Sequence, residues 1–253
     1  MTLDVEFSEP AGMSAFDQEL RQSLTEVILW ADENASRSLQ VDIGPSELGD
    51  LCERKLTYRM AGARPVNTRK DPWPAIVGTA IHEWLEKAVN RFQDVAGSQR
   101  WLTELTVAPS PLVTGHSDLY DTWTHTVLDW KTKGEKPMRE FKAHGPTQDH
   151  IAQVNLYGLG QLRAGRKVER VAIVALPRSG WLAGMAVWSA PYDPHIAQQA
   201  LARMEMVGRK GIELGVEQNP DAFLAVPASP SYLCSFCPYY SPERVSGIGC
   251  PAK

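Results

Sequence analysis

The chain has 253 residues, 43% hydrophobic and 22% charged, which suits a folded protein with a substantial core and argues against general disorder. No apolar run approaches the ~18 residues of a membrane helix, and the acidic start lacks the basic-then-apolar layout of a secretory signal, so the expectation is a cytoplasmic protein with no membrane partner. The net charge of −4 conceals an uneven distribution: residues 1–33 sum to −7 and the remainder to +3, so a polyanionic partner is not excluded.

In chain order, apolar residues Phe16, Leu20, Leu24, Val27 and Ile28 recur at helical spacing and predict a helix over 14–35 capped by Ser14. Pro45 opens a second helix running to about Met60. Within and beyond it, Arg54, Lys55, Arg59, Arg64, Arg69 and Lys70 form a basic run without an acid, and Arg54, Lys55 and Arg59 are candidate DNA-binding residues. From Trp73 or Pro74 to Phe92 an amphipathic helix carries Val77, Ile81, Trp84, Leu85, Ala88 and Phe92 on one stripe. Segments 101–108, 112–121 and 124–131 are short, rich in Val, Leu, Thr and Trp, and read as a β-meander. A helix follows over 145–162, then strands over 168–176 and 182–189, then a helix from its cap at Asp193 to Leu214. The Pro-rich tail from Pro220 holds three of the four cysteines. This order suits an α/β (α+β) fold with a mixed central sheet flanked by helices. The expected division is an acidic helical extension over 1–43 and one domain over 44–253, which includes the cysteine tail at 220–253.

The chemistry concentrates in two neighbouring strands. Asp118 lies in Gly115-His116-Ser117-Asp118, and Asp129 and Lys131 lie in Leu128-Asp129-Trp130-Lys131. Strand alternation puts Asp129 and Lys131 on one face and Trp130 on the other. Two nearby carboxylates repel each other, and a hard divalent cation such as Mg²⁺ relieves that repulsion and acidifies a bound water. A lysine beside them can orient that water or offset charge developing on a phosphate. Asp-x-Lys alone is common, and its company gives it weight. His82 follows Gly78 by one helical turn, a glycine that would clear space for a metal or phosphate. Gln153 and Tyr157, four apart, share a helix face.

Gly-x-x-x-His, Gly-x-x-Asp, Asp-x-Lys and Gln-x-x-x-Tyr in this order resemble the RecB-like branch of the PD-(D/E)XK nucleases, over roughly residues 44–250. The resemblance implies a DNA exonuclease acting on single-stranded ends with Mg²⁺ or Mn²⁺. It implies His82, Asp118, Asp129 and the backbone carbonyl of Trp130 as metal ligands, with Lys131 as the catalytic lysine. Glu104 would have a supporting role, and Gln153 and Tyr157 would contact DNA or order the site.

Cys234-Ser235-Phe236-Cys237 is a tight chelate, Cys250 adds a third thiol, and Cys52 lies 182 residues upstream of Cys234. In a cytoplasmic protein such a set suits zinc or an iron–sulfur cluster. One upstream cysteine and three near the tail resemble AddB-type subunits and the CRISPR-associated Cas-four exonucleases, which implies a [4Fe–4S] cluster. The 12 residues between Cys237 and Cys250 exceed that family's usual gap. The settings implied are a stand-alone, phage-encoded enzyme or a partner of recombination or CRISPR-adaptation proteins. Two other readings stay open: a non-catalytic DNA-binding or assembly subunit, and a zinc-stabilised restriction-type endonuclease.

Overall fold

Strands β1 (Trp101–Ser110), β2 (Val113–Asp121) and β3 (Thr126–Lys133) form an antiparallel meander, β4 (Arg170–Pro177) adds to β3 in parallel, and β5 (Ala186–Pro191) returns antiparallel to β4. The sheet order is therefore the chain order. The architecture comes from a computed structural model, which describes residues 13–34, 43–67, 71–244 and 249–252. Arg69 and Lys70 of the basic run, and Asp4, Glu6 and Glu9 of the acidic start, lie outside those residues.

A parallel β3–β4 pair needs a crossover, which the chain supplies as two helices, α5 (Glu135–His144) and α6 (Gln148–Arg163). The sequence predicts only the second of these. Helix α6 lies close on the sheet because Gly160 has no side chain: a Cβ there would come within 2.6 Å of Val107 Cβ. Val154 and Tyr157 then pack against Val107, Tyr120, Val171 and Ile173 in the main core. Helix α7 (Pro194–Leu214), whose first turn is capped by Asp193, joins α6 and the N-terminal helices around Leu48, Leu156, Met204 and Val207.

The helix expected over 45–60 is interrupted. Helix α2 (Pro45–Gly49) stops, Asp50–Cys52 run without helical structure, and α3 (Glu53–Met60) restarts. The cause is local: Asp50 Oδ1 accepts the Cys52 amide at 2.9 Å, an Asx-type turn that competes with the helix. It leaves Cys52 at the N-cap of α3. Helix α1 (Ala15–Glu33) forms with a Ser14–Asp17 capping box, but none of its residues is buried. Helix α4 (Trp73–Ala96) also departs from its expected packing. Trp84 and Phe92 point to solvent, and the buried residue is Gln93, which bridges the Trp101 backbone through both amide atoms. Periodicity locates a stripe without saying which side of it faces the core. Among the described residues, no helix is long and apolar enough to cross a membrane.

The β2–β3 turn is held by a buried carboxylate. Asp121 accepts from Arg100 at 2.9 and 2.5 Å, from Thr124 and from the Trp123 amide, while Arg100 lies over the rings of Trp101 and Trp123. Burial works against ionisation of Asp121, but these donors prevail and lower its pKa from 3.8 to about 2. Its stabilising contribution is thus present above 3.8 and disappears as pH falls through about 2. The expected result is that Asp121→Asn loses about 2–3 kcal/mol at neutral pH, the free energy that corresponds to the lowered pKa, and loses this segment of the acid-unfolding curve. Urea titrations across the acid range check it; parallel curves for the two proteins would contradict it.

Candidate active site

Register aligns the acids. The β1–β2 ladder pairs Thr103 with Leu119 and Leu105 with Ser117, so Glu104 stands opposite Asp118. The β2–β3 ladder pairs Leu119 with Leu128, so the next step places Asp118 opposite Asp129. Residues directly opposite share a face, and the three carboxylates form a row across β1, β2 and β3. Glu104 has φ +47, a left-handed conformation that a non-glycine residue adopts at a cost, and the regular β1–β2 pairing skips it. Strain of this kind persists where surrounding structure imposes it.

Helix α4 brings His82 over the row, its Nδ1 3.3 Å from Asp118 Oδ1. The other oxygen, Asp118 Oδ2, accepts the Trp130 amide at 2.7 Å, which fixes the carboxylate's orientation. One ligand atom each from His82, Glu104 and Asp118 lies within 4.8 Å of the others, a donor set that fits a hard divalent cation. Glu104, given a supporting role from sequence, thus takes a place among the potential ligands. Asp129 is outside that trio because both its oxygens face the Lys131 ammonium, at 3.2 and 3.0 Å.

Lys131 is held from its other side by Gln153 Oε1 at 2.9 Å, and Gln153 in turn donates to the Tyr157 hydroxyl at 2.8 Å. Gln153 and Tyr157 are buried, so of the two roles expected for them, ordering the site fits and DNA contact does not. Gly115, ahead of Asp118, has a packing reason: a Cβ there would meet Pro45 Cδ at 2.7 Å. A Cβ at Gly78 would meet only Thr132 Oγ1, at an ordinary 3.6 Å, so close packing does not require that glycine.

The charges are tightly interdependent. Burial pushes the Asp129 carboxyl up to about 6, with the Lys131 ammonium opposing and the Asp118 charge reinforcing the rise. Burial disfavours charging His82, yet its hydrogen bond to Asp118 and the charges of Asp118 and Asp129 leave its pKa above the ordinary value. Burial raises that of Tyr157 too, so it remains a neutral phenol.

The basic residues of α3 are engaged within the protein. Arg54 is buried and donates to Val226 O at 2.9 Å, Leu224 O at 3.1 Å and Cys250 Sγ at 3.4 Å. Lys55 pairs with Asp50 at 2.6 Å and Arg59 with Glu47 at 2.7 Å. These cations fasten the tail and brace α2 against α3.

The tail itself returns to α3. Tyr58 stacks between Phe223 and Tyr239, with ring centroids 4.0 and 4.8 Å away, and Val66 and Asn67 donate their amides to Pro238 O. Cys52, Cys234, Cys237 and Cys250 all line one cavity of about 570 Å³. All four are free thiols, and no three of them come within 4.8 Å of one another. Backbone amides of Ser231 and Ala252 donate to Cys234 Sγ and Cys250 Sγ at 3.3 and 3.4 Å.

No family model and no curated protein matches this chain. Among solved structures, an alkaline exonuclease from Laribacter hongkongensis is 12% identical, covers 70% of this chain and 91% of its own, and gives a TM-score of 0.49. A protein designated SSO0001 is 17% identical, covers 95% of this chain and 98% of its own, and gives 0.49. A phage-related exonuclease from Haemophilus somnus 129PT is 11% identical, covers 70% of this chain and 96% of its own, and gives 0.43.

Proposed function

We propose that the chain is a divalent-metal-dependent deoxyribonuclease that hydrolyses phosphodiester bonds at the ends of single-stranded DNA. The observation that carries this reading is the row Glu104–Asp118–Asp129 under His82, with Lys131 at its end. A row of acids is a poor place for a phosphate unless a cation joins it. His82, Glu104 and Asp118 would hold Mg²⁺ or Mn²⁺, with Asp129 and the Trp130 carbonyl as further ligands. Bound there, the ion supplies an acidified water and charge compensation at the phosphate.

The protein's own groups do the rest. The Trp130 amide and His82 fix the Asp118 carboxylate. Gln153 and Asp129 hold the Lys131 ammonium at the end of the acid row, where it can orient an attacking water or stabilise charge that grows on a phosphoryl oxygen. Tyr157 keeps Gln153 from turning away.

The four cysteines would bind a [4Fe–4S] cluster. A tetrahedral zinc ion, with Zn–S bonds of about 2.3 Å, gathers its sulfurs within roughly 4 Å, whereas a cluster several atoms across keeps them farther apart. The roomy cavity that all four cysteines line has space for the cluster. Burial pushes the Cys237 thiol up, so it stays protonated until a metal draws it into coordination. In this reading residues 44–253 are one nuclease unit and residues 1–43 its extension.

The test is digestion of end-labelled linear and covalently closed single-stranded DNA in Mn²⁺. The expected result is release of short products from the linear strand, none in a chelator, and an intact circle. Equal cutting of the circle would make the protein an endonuclease, and no metal-dependent cleavage of either would end the reading.

A further inference from the structure

Beyond Lys131 the same face of β3 continues to Lys133, and neither the motif reading nor the acid row accounts for it. Strand alternation places Lys133 two residues on, about 7 Å from Lys131 along the strand. Lys133 is half-buried, and among the described residues it makes no ion pair; its recorded contact is the Phe141 ring, 5.5 Å from the ammonium. Arg178 follows directly on the β4 residue that pairs with Lys133, and its amide donates to Lys133 O at 2.9 Å. The Arg178 side chain is exposed, and its charge reaches Lys133. His150, in the first turn of α6, feels both Lys131 and Lys133; its Nδ1 lies 2.9 Å from Thr147 Oγ1, and Asp149 is the one acid beside it. Burial and the neighbouring cations lower the pKa of Lys133 from its ordinary value, with only Asp149 and Asp129 opposing them.

Unlike Lys131, which Asp129 and Gln153 hold, Lys133 and Arg178 make no ion pair among the described residues, and an anion beside them would complete both. Just past a centre built for one phosphodiester, on the same strand face, the step from Lys131 to Lys133 is comparable to the spacing of neighbouring phosphates along an extended nucleic-acid strand. We propose that Lys133 and Arg178, with His150 beside them, form a subsite for the phosphate adjacent to the scissile one in the substrate strand. This deepens the nuclease reading and rests on it. It also relocates the DNA path from α3 to the ends of β3 and β4. The subsite sets register: a phosphate anchored here fixes which bond lies over the acids.

The experiment measures binding of a short labelled single strand by fluorescence anisotropy with Ca²⁺ in place of Mg²⁺ or Mn²⁺, so that a cation fills the acid row and the readout is binding rather than turnover. Lys133→Met keeps the packing on Phe141, and Arg178→Ala removes an exposed side chain. Each should weaken binding roughly tenfold, the range for one charge-assisted hydrogen bond. Each should also reduce the log–log salt slope by about 0.7. A neutral methylphosphonate at the adjacent position should weaken wild-type binding similarly and leave Lys133→Met unaffected. Hydrolysis of thymidine p-nitrophenyl phosphate, which has a single phosphodiester, should be unchanged in both variants. Unchanged affinity and slope, or a methylphosphonate penalty equal in wild type and variant, would overturn the subsite. Loss of single-phosphodiester hydrolysis in the variants would overturn it too, placing these residues in the cutting centre. A wild type inactive on every phosphodiester would refute the nuclease reading, while the anisotropy still decides the subsite.

Discussion

Replacing Asp118 with asparagine should lower phosphodiester cleavage by about 10³-fold or more while leaving the fold intact. Asn has the size of Asp, and its carbonyl can keep the Trp130 amide as donor. Its NH₂ group then faces His82 and Glu104, so a donor replaces an anionic ligand at the centre of the row. The metal's transition-state contribution is several kcal/mol, and each 1.36 kcal/mol is tenfold in rate. Stability should hold or rise in metal-free protein, because one of three crowded carboxylates becomes neutral. Lys131→Met should be similarly inactive for a different reason: Mn²⁺ binding survives, but the cation between Asp129 and Gln153 is gone. Turnover on labelled single strands, Mn²⁺ titration calorimetry and thermal melts separate the two cases. Wild-type turnover by either variant would remove that residue from the chemistry.

Cys52→Ala should bleach anaerobically purified protein, reduce its iron content and lower its melting temperature by on the order of 10 °C, as expected when several kcal/mol of metal-coupled folding is lost. Cys52 sits at the start of α3 while its three companions lie on the returning tail, so one ligand set joins segments 182 or more residues apart in sequence. Closing so long a loop restricts the unfolded chain strongly. The iron plays no part at the acid row, so activity per folded molecule should persist. The mutant should also remain partly assembled, since Arg54, Tyr58 and Asn67 grip the tail independently. Stoichiometric zinc in a colourless wild type would replace the cluster with an ion. Full iron and an unchanged melt in the mutant would exclude Cys52 as a ligand.

The meander and its Asp118–Asp129–Lys131 set were legible because strand alternation has a strict period of two, and short turns leave little choice of neighbour. The capped helices α1 and α7 were legible for a similar reason, since Ser14 and Asp193 act within their own first turns. Arg54 was not. Its role depends on carbonyls at Leu224 and Val226, 170 and 172 residues away, and no local pattern distinguishes an arginine that fastens a tail from one that meets a phosphate. The break at Asp50 depends on a side chain's choice between turn and helix. Helix α5 carries Pro137 and many charges, which obscured a helix that buries only Met138 and Phe141. Glu104 could be seen as an acid on the first strand, but its place opposite Asp118 depends on a register that only pairing reveals.

The clasp between α3 and the tail also imposes an order of assembly during synthesis. Every residue of the acid row, with Gln153 and Tyr157, has been translated long before Leu224 or Cys250. Arg54 must wait for those carbonyls while 170 further residues are added, on the order of 10–30 s at ordinary elongation rates. Late in that interval, once β5 is complete at Pro191, the face of α3 that the tail will cover stays open beside a sheet that can already pair. The sheet that carries the acid row therefore forms first and the tail's grip on α3 last, so a chain halted between Leu214 and Leu224 has its acids and the α3–α7 packing but leaves Arg54 without its carbonyls.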